Sequence, residues 1–201
     1  MIVFYGAPGS SAARTHWMLE ETGVPFDYKR IDTRAGENKT PEFLALSPGG
    51  KIPVLVDEGL VLFESVAINF YLAEKHGAHL SSPDAGERAL QWQWSLWAMT
   101  NVHPLVIQIL YHTRFLPEAQ RDPKVAADNR EWVRNLYLSV LEKHLEGKEH
   151  LVGERFSVAD VNAGSVVNLA TTAGGVEAGP ATRAWLDRLR ARPAFKKAYA
   201  T

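Results

Sequence analysis

The apolar positions of roughly the first 75 residues come in short runs that alternate with helix-like stretches. Short apolar runs predict strands, and apolar residues spaced three and four apart predict helices. The turn Asp57-Glu58-Gly59 separates two of the apolar runs, as in a β-hairpin. The predicted order is β-α-β-α-β-β-α, with strands at 2–5, 26–32, 54–56 and 60–63 and helices at 11–22, after Pro41 and at 66–75.

The pattern after residue 86 is helical to the end of the chain. Residues 87–116 carry a dense apolar pattern in which Pro104 predicts a kink. Residues 124–146 carry apolar side chains at i, i+3, i+4 and i+7. The segment FSVADVNAGSVVNLA has almost no charge, which is typical of a helix buried on most sides. Two further short helices are predicted at 181–190 and 194–199.

A stretch of small and polar residues at 77–86 separates these two patterns and indicates a linker. We therefore predict an α/β domain at 1–76, a linker at 77–86 and an all-helical domain at 87–201. The α/β order, with a proline at the front of the third strand, is typical of a thioredoxin-like domain.

Composition narrows the classes of partner and chemistry. The 22 basic and 23 acidic residues nearly cancel and form no basic run, so we expect no nucleic-acid partner. The chain has no cysteine, which excludes disulfides, thiolate metal sites and a cysteine nucleophile. No apolar stretch reaches the length of about 18 residues that a membrane span needs, and the N-terminus begins in a strand-like run. We expect a cytoplasmic protein that does not enter a membrane.

Two glycine-containing segments do not match nucleotide-binding loops. Gly6-Ala7-Pro8-Gly9 lacks the G-x-G-x-x-G spacing. Gly49-Gly50-Lys51 is followed by isoleucine, where a P-loop has serine or threonine. We expect these glycines to shape turns.

The pair Ile52-Pro53 precedes the third predicted strand. In a thioredoxin-like domain this bond is cis, and it then turns the backbone N–H and C=O of Ile52 outward, where an extended peptide can pair with them. A trans proline at the first residue of a strand is the alternative.

The pair Glu64-Ser65 lies where the last strand passes into a helix. A serine there can act simply as an N-cap. The same geometry also offers backbone N–H groups and a hydroxyl to an incoming carboxylate, while Glu64 can bind an ammonium group. Together they suit the end of an α-amino acid, which carries both charges.

Two other side-chain groups are expected to have no catalytic role. Ser157 and Asp160 have the spacing of a capping box before an apolar run, which predicts a structural role. His76 and His79 lack a carboxylate or cysteine companion, so we expect no metal site.

Taken together, these motifs resemble those of the cytosolic glutathione S-transferase family. Within it they are most similar to the serine-type members, which include bacterial enzymes and those of the phi- or theta-like classes. The similarity runs over the whole chain and rests on Ser10 with Arg14, on ENKTPEFLALSPGGKIPVLV, on LFESVAINFYLAEKHG and on LVGERFSVADV. The resemblance implies a thioredoxin-like domain that binds glutathione and a helical domain that helps to bind the second substrate. It also implies a homodimer, with glutathione as a co-substrate and no cofactor.

The resemblance assigns the glutathione contacts residue by residue. Ile52, before Pro53, would pair its backbone with the cysteinyl part, and Glu64 with Ser65 would hold the γ-glutamyl end. Lys39 and Lys51 fall where the family has residues that reach the glycyl carboxylate and the peptide backbone. Asn38 stands where plant-type members commonly have a histidine.

Members of the family differ in the catalytic residue that stabilises the glutathione sulfur, which is a tyrosine, a serine or a cysteine. The spacing of Ser10 and Arg14 resembles the serine type, with Ser11 and Tyr5 as alternatives. Arg14 is expected to be structural or a weak electrostatic aid. A serine hydroxyl is too weak an acid to attack, so it would donate a hydrogen bond to the thiolate.

Three functions fit these features. The first is conjugation of glutathione to a hydrophobic electrophile, which is our prediction. The second is a glutathione-dependent disulfide or peroxide reductase that uses no enzyme cysteine, and the third is a non-catalytic glutathione-binding or assembly protein.

Overall fold

The computed structural model describes residues 1–200, and they form two compact units. The first unit comprises Met1–Ser82 with residues 191–200, and the second comprises Pro83–Arg190. The predicted fold class is confirmed, because a four-stranded mixed sheet with helices is followed by a helical part.

The sheet of the first unit has the strand order β2-β1-β3-β4. Strand β1 runs parallel to β2 and antiparallel to β3, and β3 runs antiparallel to β4. The strands are β1 (Ile2–Gly6), β2 (Phe26–Arg30), β3 (Val54–Asp57) and β4 (Leu60–Phe63), and the helices of this unit before Ser82 are α1 (Ala12–Thr22), α2 (Pro41–Leu46) and α3 (Ser65–Lys75).

Strand β1 shows why the sequence forms a sheet here. Its side chains alternate, so that Ile2 and Phe4 are buried while Val3 and Tyr5 point to the opposite, half-buried face. Gly6 ends the strand, and a β-carbon there would lie 2.7 Å from the β-carbon of Ala12. The absence of a side chain at Gly6 therefore allows α1 to approach the end of β1 closely.

The last ten described residues, 191–200, belong to the first unit. The sequence pattern had included them in the helical domain predicted at 87–201. Helix α10 (Pro193–Tyr199) packs on α1, where the ring of Trp17 meets that of Phe195 at 4.9 Å. Arg192 adds a bidentate ion pair to Glu21, with N···O distances of 2.6 and 2.7 Å. Paired contacts of this kind fix both the position and the rotation of a short helix.

The second unit is helical. Long helical stretches contain π-helical turns at Ala98–Val102, Tyr111–Phe115 and Val133–Leu138, and the first of these lies just before Pro104, where a kink was predicted. None of the helices described within residues 1–200 combines the length and apolarity needed to cross a membrane. The helices are α4 (Ala85–Trp97), α5 (His103–Leu110), α6 (Pro123–Trp132), α7 (Ser139–Leu145), α8 (Val158–Thr172) and α9 (Pro180–Ala191).

Helix α8 is the centre of this unit, and its start is held by a buried carboxylate. Ser157 and Asp160 form a capping box, in which the backbone N–H of Ser157 donates to Asp160 at 3.0 Å. Asp160 also accepts from the N–H of Leu151 and from the indole N–H of Trp185. Burial raises the pKa of Asp160 above its usual value, and these donors oppose the rise. The carboxylate thus joins three separate segments.

Two features of this unit differ from the sequence pattern. The apolar stripe of 124–146 divides between two environments, because Val133 and Leu141 are buried while Leu136 and Val140 are exposed. Helix α4 begins at Ala85, inside the predicted linker of 77–86. The part of that linker before Pro83 belongs to the first unit and contains the buried Leu80. Periodicity locates a helix but does not tell which of its two apolar edges is covered.

Candidate functional site

Three chain segments meet at one edge of the sheet because of the strand directions. Tyr5, near the end of β1, pairs with Val54 at the start of β3, and Val54 pairs with Phe63 at the end of β4. The β1–α1 loop, the Ile52-Pro53 pair and the β4–α3 junction therefore lie side by side. These are three of the segments that were singled out from the sequence.

The two serines of the β1–α1 loop have different hydrogen bonds. Ser10 Oγ donates to the carbonyl of Ala7 at 2.7 Å and accepts from the backbone N–H of Ala12 at 3.1 Å. Ser11 Oγ donates to the carbonyl of Ile52 at 3.1 Å, across 41 residues of sequence. Ser10 therefore has only local partners, one of them the N–H of the first residue of α1, whereas Ser11, the N-cap residue of α1, ties the loop to the segment before Pro53.

Tyr5, the third candidate for the sulfur contact, lies on the side of the sheet that α2 covers. Its ring meets Phe43 of α2 edge to face, with ring centroids 6.1 Å apart. This contact packs the ring of Tyr5 against α2.

The Ile52–Pro53 bond is cis, which is the first of the two alternatives considered from the sequence. The N–H of Ile52 has no acceptor within residues 1–200, while its carbonyl accepts from Ser11. A backbone donor without a partner, next to a strand, is a site where an extended peptide can bind.

The β4–α3 junction forms an open helix mouth. Glu64 precedes α3 and no side chain caps the helix, so the first N–H groups of α3 are available to a ligand. Ser65 begins the helix and is only 4% exposed. Glu64 is exposed and has φ of +71°, a left-handed value that is uncommon for a residue other than glycine. Backbone conformations of this kind cluster at ligand sites.

Arg14 connects the start of α1 to the start of α3 by a buried hydrogen bond. It extends from α1, is 3% exposed, and donates from a terminal guanidinium nitrogen to Ser65 Oγ at 3.0 Å. Burial lowers its pKa to about 10, and the nearby Tyr199 and Glu64 oppose this shift. The guanidinium therefore remains charged at neutral pH.

The lysines assigned to the glycyl end lie at the rim. Lys39 and Lys51 are exposed, and Lys39 Nζ is 3.5 Å from the carbonyl of Gly49. The amide of Asn38 donates to the carbonyl of Gly50 at 2.7 Å, so Asn38 holds this loop together. Both lysines are thus exposed cations close in sequence or space to the segment that leads to Pro53.

Sequence reasoning did not foresee the Ser11–Ile52 contact or the buried bond between Arg14 and Ser65. The partners are 41 and 51 residues apart, and no periodic or spacing signal marks such a pair. The sequence spacing of Ser10 and Arg14 was the one available hint, and it does not reveal which residue the guanidinium of Arg14 contacts.

Comparisons with known proteins give matches to both parts of the chain. Residues 1–74 match the model of the glutathione S-transferase N-terminal domain, and residues 100–193 match that of its C-terminal domain. Glutathione S-transferase 3 of Zea mays is 36% identical over 98% of this chain and 92% of its own. The disulfide-bond oxidoreductase YfcG of Escherichia coli is also 36% identical, over 98% of this chain and 94% of its own.

A solved structure shows the same arrangement over the full length. It is a theta class glutathione S-transferase from Xanthomonas axonopodis pv. citri with glutathione bound. It superposes with a TM-score of 0.90 at 32% identity, over 100% of this chain and 97% of that chain.

The backbone of Glu64 generates a testable prediction about stability. Glu64→Gly and Glu64→Ala both remove the carboxylate, but only alanine keeps a β-carbon at positive φ. We expect the glycine variant to unfold at higher urea concentration, with a free energy of unfolding about 1 kcal/mol above that of the alanine variant.

Ala67, in the first turn of α3, provides the matched control. There Ala67→Gly should lower the free energy of unfolding by about 0.5–1 kcal/mol, because glycine is the poorer residue in a regular helix. A Glu64→Gly variant that is less stable than Glu64→Ala would show that the left-handed conformation carries no strain.

Proposed function

The chain belongs to the glutathione S-transferase family of enzymes, and on this premise we propose that it binds glutathione at the described sheet edge, stabilises the thiolate with a serine hydroxyl and conjugates the sulfur to a hydrophobic electrophile. The observation that carries the proposal is the meeting of the Ser10 loop, Ile52 and Ser65 at the same edge of the sheet.

The open mouth of α3 supports the placement of the γ-glutamyl end. The α-carboxylate would accept from the Ser65 hydroxyl and from the first N–H groups of α3, where the helix dipole also favours an anion. Glu64 is exposed beside this point and would bind the α-ammonium group.

The rest of the tripeptide would lie along the segment before β3. The cysteinyl N–H and C=O would pair with the backbone of Ile52, whose N–H has no acceptor within residues 1–200. Lys39 and Lys51 would attract the glycyl carboxylate from the rim, where both are exposed.

The hydrogen bonds of the loop favour Ser10 as the donor to the sulfur. Its donor bond to Ala7 is local, and the Ala7 carbonyl also accepts from the backbone N–H of Ser10 at 3.4 Å. The hydroxyl can therefore turn toward a ligand at little cost. Ser11 could do so only by giving up its tie to Ile52.

One hydroxyl is sufficient for the ionisation. A thiol with a pKa near 8.5 needs about 2.7 kcal/mol to bring its pKa down by about two units. A hydrogen bond to a charged acceptor contributes about 1.5–3 kcal/mol, and a helix N-terminus about 0.3–1 kcal/mol. The thiolate then attacks an electrophilic carbon, the carbon–sulfur bond forms, and the leaving group departs with its electron pair.

A second function is favoured by the similarity to YfcG, which is named a disulfide-bond oxidoreductase. In this case the glutathione thiolate would attack a disulfide sulfur and release one thiolate. A second glutathione would then attack the mixed disulfide, giving glutathione disulfide and the second thiol. This route needs no enzyme cysteine, and the chain has none.

Thiol titration tests the role of Ser10. Ser10→Ala should raise the pKa of bound glutathione by about one to two units, because about 1.4–2.7 kcal/mol of thiolate stabilisation is lost. The measurement is the ultraviolet absorbance of the thiolate against pH. Ser11→Ala and Tyr5→Phe should move this pKa much less, although Ser11→Ala should reduce stability. A large shift with Tyr5→Phe and none with Ser10→Ala would contradict the serine assignment.

Turnover on one preparation distinguishes the two reactions. We expect conjugation of a chloronitrobenzene to exceed reduction of hydroxyethyl disulfide and of a hydroperoxide, and Ser10→Ala should slow it by about tenfold or more. Faster disulfide than chloronitrobenzene turnover would instead favour the second function. Glutathione binding without turnover of any of the three would argue against both.

We also propose that the enzyme is a homodimer, as the family resemblance implies. Exposed apolar residues of α4 would lie in the interface between the two subunits. Trp92 and Leu96 lie one turn apart and are 38% and 48% exposed. Light scattering at micromolar concentration should give the dimer mass, and Leu96→Glu should shift it toward the monomer. Lys124→Glu on α6 is the control for a change of charge, and a monomeric wild type would disprove the proposal.

A further inference from the structure

We infer that Arg14 is a positioning residue for glutathione: its guanidinium holds the Ser65 hydroxyl so that the hydroxyl proton is left for the γ-glutamyl α-carboxylate. This goes beyond a purely structural role for Arg14 and rests on the proposed function, in which Ser65 binds that carboxylate. The contact that carries the inference is the 3.0 Å hydrogen bond between the two side chains.

The donor and acceptor capacities of the two groups dictate the direction of this bond. A guanidinium has only donors, whereas a serine hydroxyl has one proton and two acceptor lone pairs. Arg14 therefore occupies a lone pair of Ser65 Oγ and cannot accept its proton. Within residues 1–200 the Ser65 hydroxyl has no other hydrogen-bond partner, so its proton is available to a ligand.

The places of the two residues in their helices separate positioning from direct binding, since both are buried, at 3% exposed for Arg14 and 4% for Ser65. Ser65 begins α3, next to the first N–H groups that a carboxylate would use. Arg14 extends from α1 and reaches the start of α3 by its hydrogen bond to Ser65 Oγ. Arg14 therefore acts on the carboxylate through Ser65.

The charge of Arg14 strengthens the effect. A cation that donates to a hydroxyl oxygen polarises the O–H bond, and in a buried site this makes the hydroxyl a better donor to an anion. Burial lowers the pKa of Arg14 only to about 10, so the cation persists at neutral pH. A carboxylate at the mouth of α3 thus meets a polarised hydroxyl together with the helix N–H groups.

The experiment compares two ligands on each variant. One ligand is glutathione, and the other is 4-aminobutyryl-cysteinyl-glycine, which lacks only the α-carboxylate. Calorimetry on the full chain gives the affinity ratio of the two ligands, and we call this ratio the carboxylate preference. We expect Arg14→Gln to reduce the preference about tenfold by weakening glutathione while leaving the affinity of the shorter ligand within about twofold.

The combination with Ser65→Ala tests whether Arg14 acts through Ser65. If it does, Arg14→Gln should reduce the carboxylate preference less than about twofold further once Ser65 is alanine. Equal and independent losses from the two substitutions would overturn the inference. So would an Arg14→Gln variant that weakens both ligands equally, because that is what a merely structural role produces.

Failure of the proposed function has a different signature. If wild type shows no carboxylate preference and Ser65→Ala leaves glutathione affinity unchanged, then the γ-glutamyl end does not bind at Ser65, and both proposals fall. If Ser65→Ala removes the preference but Arg14→Gln does not, the inference about Arg14 falls alone.

Two further variants protect the test against misfolding. Arg14→Lys keeps a cation and a donor, so we expect it to retain more of the preference than Arg14→Gln but still to lose about two- to fivefold. If the glutamine variant does not fold, an unchanged preference in Arg14→Lys overturns the inference. Arg192→Gln is the matched control, because it removes a bidentate contact to Glu21 at the other end of α1 and should reduce stability without changing the preference.

Discussion

The direction of the strands is the constraint on which the proposed glutathione site depends. Strands β1 and β4 point the same way, because each lies antiparallel to β3. Each of the two is followed directly by a helix, so α1 and α3 begin at the same edge of the sheet, with their positive dipole ends close to one another. The third strand starts at that edge and brings Ile52 between them. Anion recognition and backbone pairing are thus consequences of topology before any side chain is considered.

The site adds features that a stable fold alone would not favour. A charged guanidinium is buried beneath the two helix mouths, and Glu64 holds a left-handed backbone conformation at the surface. Strong contacts within the same unit hold α1, where the ion pair of Arg192 with Glu21 fixes α10 on α1. The helix that carries Arg14 is thus tied to Ser65 near its start and to Arg192 near its end.

Much of the fold was predictable because its signals are local. Local signals predicted the four strands and the three α-helices of the α/β part, but not the 3-10 turn at Glu37–Lys39. The pairs Ile52-Pro53 and Glu64-Ser65 were found from their places at element boundaries. The packing of α10 on α1 was not predictable, since Arg192 and Glu21 are 171 residues apart. The division of the 124–146 stripe into buried and exposed residues was missed for the same reason. Local pattern gives the element, but the partner across space decides which face is covered.

The two serines of the site share one hydrogen-bonding arrangement. Ser10 accepts from the N–H of Ala12, and Ser65 accepts from Arg14, so in each case a protein donor fixes the hydroxyl oxygen. The single proton of each hydroxyl is then directed away from that donor, to the carbonyl of Ala7 for Ser10 and to no protein acceptor within residues 1–200 for Ser65. One proton would meet the sulfur and the other the α-carboxylate, the two parts of glutathione that carry negative charge near the helix mouths. A chain without cysteine can therefore recruit a thiolate from its ligand by orienting two neutral hydroxyls, with no general base among them.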